Sequence, residues 1–113
     1  AMRYAGLEDR LTSLGYVVRD HGNVETAVPE ATALRDERAR FLPEIKETCA
    51  RIAAKVVEES NAGARPLVLG GDHSVTYPIL RGLAGAHESL TILHIDAHPD
   101  LYDEFEGDRF SHA

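Results

Sequence analysis

Apolar residues recur at helical spacing in some stretches of the chain and form unbroken runs in others, and the two patterns alternate. Leu7, Leu11 and Leu14 stand at i, i+4 and i+7, with Gly15 placed to cap the end. This spacing predicts a first helix already under way at Ala1-Met2-Arg3-Tyr4, with no N-cap signal before it. Tyr16-Val17-Val18-Arg19 then reads as a short strand, closed by the turn-forming Asp20-His21-Gly22-Asn23. Residues 24–34 read as a loop leading into a helix. Pro43 sets the start of a clear amphipathic helix, with Glu44 and Glu47 in its first turn. Ile45, Cys49, Ile52, Ala53 and Val56 form its apolar stripe, and Asn61-Ala62-Gly63-Ala64 ends it.

The run Pro66-Leu67-Val68-Leu69 has no polar alternation and predicts a strand buried on both faces. A helix follows from about Ser74 to Thr76, with Pro78 in its first turn and Ile79, Leu80 and Leu83 along it, until Gly85 breaks it. Leu90 to Ile95 is the third strand, apolar on both faces apart from His94. Strands separated by helices indicate α/β units with right-handed crossovers and a parallel sheet. With no internal repeat and no linker, the 113 residues are one domain or part of one.

Composition narrows the partners. Hydrophobic content of 43% and charged content of 27% belong to an ordinary globular chain, and no apolar run is long enough to span a membrane. A net charge of −7 argues against nucleic acid and anionic membrane surfaces and favours a cationic small molecule. The single cysteine, Cys49, excludes an intrachain disulfide, suits a cytoplasmic protein and falls on the apolar stripe as a small core residue.

The chemistry lies just beyond two of the strands, where open parallel sheets place their sites. Gly70-Gly71-Asp72-His73-Ser74 follows one and Asp96-Ala97-His98-Pro99-Asp100 the other. In extended chain, alternate residues share a side, so Asp96, His98 and Asp100 can project together. Two carboxylates and imidazoles suit a divalent ion such as manganese, and a carboxylate can bridge two ions. Without metal, two aspartates at the end of a buried strand would repel each other. Each motif alone has a plain reading: a solvated loop, a tight glycine turn, a helix cap. Their joint occurrence at one sheet edge favours the metal reading.

Asp72 and Ser74 read as residues that hold the loop or orient His73, and His94 as a hydrogen-bonded core histidine in the strand interior. His21 and His87 read as solvated, and Asp103, Glu104, Glu106 and Asp108 as an exposed acidic loop that could meet a cationic substrate. His112 is open between a plain loop residue and a proton shuttle.

Leu69-Gly70-Gly71-Asp72-His73-Ser74 and His94 through Asp103, continued by Phe105 to Ala113, resemble the ureohydrolase family of arginases and agmatinases. The opening residues 1–18 are similar to the early helix and strand of arginases, so the resemblance covers nearly the whole chain. It implies part of a three-layer αβα sandwich with a parallel sheet, residues 1–113 forming a partial domain. It implies a site of two Mn2+ ions, with His73, Asp96 and Asp100 holding one and Asp96 and His98 the other. It further implies hydrolysis of a guanidinium group to urea and an amine, arginine to ornithine or, as the alternative, agmatine to putrescine. Asp100 would hydrogen-bond the attacking hydroxide and His112 would return a proton to the leaving amine. The family's trimers and hexamers imply a homo-oligomer. Its later D-x-D ligand pair and substrate-gripping glutamate are not among these residues, and the S-G-N-x-H-G pattern of many arginases is absent after Asp100. Hence the isolated segment is expected to lack a complete bimetallic site.

Two other classes remain open on the residues alone. One is a non-catalytic metal-binding or assembly module that keeps the loops without the chemistry. The other is a nucleotide-binding α/β domain with Gly70-Gly71 as a phosphate nest, disfavoured because three carboxylates would repel the phosphates.

Overall fold

A computed structural model of the chain describes residues 2–28, 41–107 and 109. Three helices appear among them: α1, Leu7–Ser13; α2, Leu42–Asn61; and α3, Thr76–Ala86, which is preceded by a 3₁₀ turn over His73–Val75. The first helix starts later than its periodicity suggests. Residues 2–6 form turns, with Ala5 N–H donating to Met2 O and Gly6 N–H to Arg3 O, and Gly6 takes a left-handed conformation (φ 74°) before the helix opens. That backbone reversal is incompatible with a helix continuing back to the first residues.

The two longer helices follow the sequence closely. Pro43 lies in the first turn of α2, where its missing N–H leaves no intrahelical bond unmade. Beyond its end, Gly63 adopts φ 76° and Ala64 N–H bonds back to Glu59 O. Helix α3 passes through Gly85 and stops one residue later, at Ala86. Its face packs on α2, and the buried residues of this pair are Ile52, Val56, Pro78 and Gly82. Shielding Ile52 and Val56 contributes roughly 1.5–3 kcal/mol each. An added methyl at Gly82 would lie 3.1 Å from both Ala53 O and Val56 Cγ1, so glycine sets how closely the helices approach. Cys49 is half-buried rather than fully in the core, with Sγ 4.0 Å from Ser74 O. Helix α2 thus supports the 3₁₀ turn that carries His73.

Polar contacts tie down the early segment. The Arg3 guanidinium bonds Asp20, Asn23 Oδ1 at 2.6 Å and Gly22 O at 2.7 Å. Glu59 of α2 takes Lys55 at 3.1 Å, His21 at 3.3 Å and Arg19 at 3.9 Å. His21 is therefore paired with a carboxylate and is not simply solvated.

The expected strands do not form among the described residues. Among the described residues only Phe105 lies in a β-bridge, and 16–19, 66–69 and 90–95 form no ladder. Nor are the last two runs buried. Leu67, Val68, Leu69 and Leu90 are exposed, and Leu93 and Ile95 are 84% and 87% exposed. The physical reason is that a strand buried on both faces needs neighbours on both edges and a layer on each side. Two packed helices do not supply them.

Candidate metal centre

The two motifs reach the same place from opposite directions. Leu69-Gly70 leads into the first because Gly70 has no side chain: a Cβ there would lie 2.7 Å from Val75 Cγ2. The following turn is closed by Asp72, whose Oδ1 accepts from the Ser74 backbone N–H at 2.9 Å and from its hydroxyl. Asp72 and Ser74 therefore hold the loop, and His73 projects from it. Thr76 Oγ1 lies 3.2 Å from His73 Nδ1, which occupies that nitrogen and leaves Nε2 for the site.

The second motif arrives from 90–95. Asp96 closes an Asx turn, its Oδ1 accepting from the His98 backbone N–H at 3.0 Å. That bond is the main reason its carboxyl is held below the usual aspartate range. Burial opposes the shift, while the Ala97 N–H and the His94 and His98 rings add to it. Asp100 takes a left-handed backbone conformation (φ 50°), which aspartate tolerates better than most residues. Strict alternation from Asp96 to Asp100 is thereby broken. The Asp100 carboxylate instead comes within 3.4 Å of His73 Nε2.

His73 and Asp100, 27 positions apart in the chain, are thus neighbours. A third residue joins them: His94, whose ring stacks on that of His73 at 5.8 Å with 13° between the planes. One donor atom from each of His73, His94 and Asp100 falls within 4.8 Å of the others. Asp96 borders this group through His94 Nε2 at 3.7 Å, and His98 Nδ1 stands 3.7 Å from Asp96 Oδ1. His112 lies outside the described residues, as does Asp108; Asp103, Glu104 and Glu106 are exposed.

The donor chemistry fits a divalent cation. Donors opposite each other around such an ion stand about 4.2–4.4 Å apart. A spread of up to 4.8 Å exceeds even that distance, and neighbouring donors, about 3 Å apart, would require the side chains to draw closer around an ion. The place of His94 in this cluster was hidden by the apolar run around it. The signal was nevertheless present: a count by twos begun two residues before Asp96 gives His94, Asp96, His98 and Asp100.

Residues 1–113 in full match the family described as "Arginase family". The chain belongs to the arginase family. It is 39% identical to an arginase of Bacillus caldovelox over 102 residues, and 36% identical to an arginase of Brevibacillus brevis over 101 residues. Each alignment takes in 89% of this chain and 34% of the relative. "Arginase 1, mitochondrial" of Arabidopsis thaliana is 58% identical over 50 residues, 43% of this chain and 15% of that protein. No solved structure matches. The chain thus spans about a third of the length of the two bacterial arginases. Among the described residues, no helix is long and apolar enough to cross a membrane.

Proposed function

We propose that these residues form part of a two-manganese ureohydrolase centre that hydrolyses a guanidinium group to urea and an amine, with arginine as substrate and ornithine as product. The observation that carries this reading is the approach of His73 Nε2 and Asp100 Oδ2 to 3.4 Å from two separate segments. Family membership along residues 1–113 and relatives named arginase support it. In this reading His73, Asp96 and Asp100 would hold one ion and Asp96 and His98 the other. Bound ions supply Lewis acidity that lowers the pKa of water and stabilises developing negative charge.

The chain's own groups do the rest. Asp100 accepts a hydrogen bond from the attacking water and fixes its orientation toward the guanidinium carbon. His112 delivers a proton to the departing amine nitrogen. The exposed acidic residues Asp103, Glu104 and Glu106 attract a cationic substrate and repel anionic ones. Agmatine, with putrescine as product, is the alternative substrate, since its guanidinium end is the same. The apolar runs at 66–69 and 90–95 would pair as inner strands of a parallel sheet in a three-layer αβα sandwich, within a homo-oligomeric cytoplasmic enzyme.

The test is urea release, with manganese, by the protein that carries these 113 residues. Arginine is expected to turn over faster than agmatine. Preference for agmatine would reassign the substrate, and absence of urea from both would refute the hydrolase reading.

A further inference from the structure

We propose that the turn Asp20-His21-Gly22-Asn23 is a binding site for guanidinium compounds, outside the two metal motifs and occupied in this chain by its own Arg3. The inference stands on contacts of the early segment alone and does not depend on the hydrolase reading.

The acceptors match the ligand's shape. A guanidinium is a flat cation whose N–H groups form a fixed fork in its own plane, so oxygens ranged around its rim recognise it. Arg3 meets such a set. Its Nε and Nη2 donate to the two oxygens of Asp20, Nη2 at 2.8 Å. Nη2 also donates to Gly22 O at 2.7 Å, and Nη1 to Asn23 Oδ1 at 2.6 Å. Every nitrogen of the guanidinium thus finds a partner within one four-residue turn. The two-point grip on Asp20 adds geometric selectivity to the charge attraction.

The turn has supports of its own. Asp20 Oδ1 accepts from the Gly22 N–H at 2.8 Å, and Gly22 takes the left-handed conformation (φ 76°) that glycine adopts without cost. From the other side, His21 and Arg19 reach Glu59 of α2 at 3.3 and 3.9 Å. The acceptors are therefore held by contacts that do not involve Arg3. Arg3 is 51% and Asp20 39% exposed, so a dissolved ligand can reach the same oxygens. An ammonium ion lacks the fork and cannot span them in one plane. In the unaltered chain a free guanidinium must compete with Arg3, whose tether keeps it at a local concentration of about a millimolar or more.

NMR of Arg3→Ala, titrated with guanidinium chloride to about 0.1 M, well below the molar range in which it unfolds proteins, tests the site. The Asp20 carboxyl and the Gly22 and Asn23 amides report binding, and helical circular dichroism verifies that α2 and α3 persist. Removing the arginine is expected to raise the Asp20 pKa. Guanidinium should lower it again and shift both amides, arginine should do the same, and equal methylammonium chloride or sodium chloride should not. The unaltered chain should respond less at each concentration. Adding Asp20→Asn to Arg3→Ala should weaken binding, read at the amides, about tenfold or more. An equal response to methylammonium or sodium chloride would overturn the proposal, because it would show ionic screening in place of recognition. So would no response, an equal response in the unaltered chain, or undiminished binding after Asp20→Asn. If Arg3→Ala loses the turn, Arg3→Lys takes its place in the titration. Loss of the turn in both would overturn the proposal, since the acceptors would then exist only around Arg3.

Discussion

At Gly70 an added methyl would lie 2.7 Å from Val75 Cγ2 and 3.1 Å from Cγ1, both branching directly from Val75 Cβ and unable to swing away. At Gly71 the same methyl would meet nothing within 4 Å. Gly70→Ala is therefore predicted to displace the His73 turn and weaken metal binding about tenfold, a size typical of lost ligand orientation. Gly71→Ala should bind as the unaltered chain does, and parallel metal titrations check the pair. A second residue-scale prediction concerns Asp20, whose carboxyl is held down to about 2 by the Arg3 guanidinium, then by the Gly22 N–H. Since the folded value lies below the unfolded value of about 3.9, this pair favours the fold above about pH 4. The contribution is lost as pH falls from there through about 2. Arg3→Ala is predicted to raise the Asp20 pKa, measurable by carboxyl NMR titration. The residues of the candidate metal cluster were only partly legible in sequence. His73 and Asp100 stand out because charged groups next to apolar runs need a purpose. His94 did not, because one polar residue inside such a run reads as a satisfied core position until its neighbours are placed.

Between α2 and α3 the same substitution should have opposite effects at two glycines of one helix. Alanine normally stabilises a helix interior by about 1 kcal/mol over glycine. At Gly85 the methyl meets open space, so Gly85→Ala is predicted to stabilise by about 0.5–1 kcal/mol. At Gly82 it would meet Ala53 O and Val56 Cγ1 at 3.1 Å, and a backbone carbonyl in a neighbouring helix yields little. Gly82→Ala is therefore predicted to destabilise by about 1–3 kcal/mol. Urea denaturation of both variants tests the two signs. These helices were legible because their signals are local: Pro43 at one end of α2, Gly63 beyond the other, and an apolar stripe between them. The start of α1 was not, because leucine spacing says nothing of the left-handed turn at Gly6. Strands are harder still. An apolar run such as Leu67-Val68-Leu69 specifies what the segment needs to bury, but its ladder depends on other segments.

Across the whole molecule, that unmet need has a consequence. Leu67, Leu69, Ile92, Leu93 and Ile95 remain exposed in a chain about a third the length of the bacterial arginases it resembles. Apolar surface of this kind favours association. The 113-residue chain is predicted to bind a hydrophobic dye and to sediment as larger species with rising concentration. The double variant Leu93→Lys and Ile95→Lys should reduce both effects, with helical circular dichroism unchanged.

Under the proposed function, Asp96 would be shared between two manganese ions in the protein that carries this chain. Electron paramagnetic resonance of that protein loaded with manganese tests it most directly, because two ions bridged by one carboxylate couple magnetically. The account predicts the spectrum of a coupled pair, replaced by that of isolated ions in Asp96→Asn. Isolated ions in the unaltered protein, or a coupled pair that survives Asp96→Asn, would contradict it.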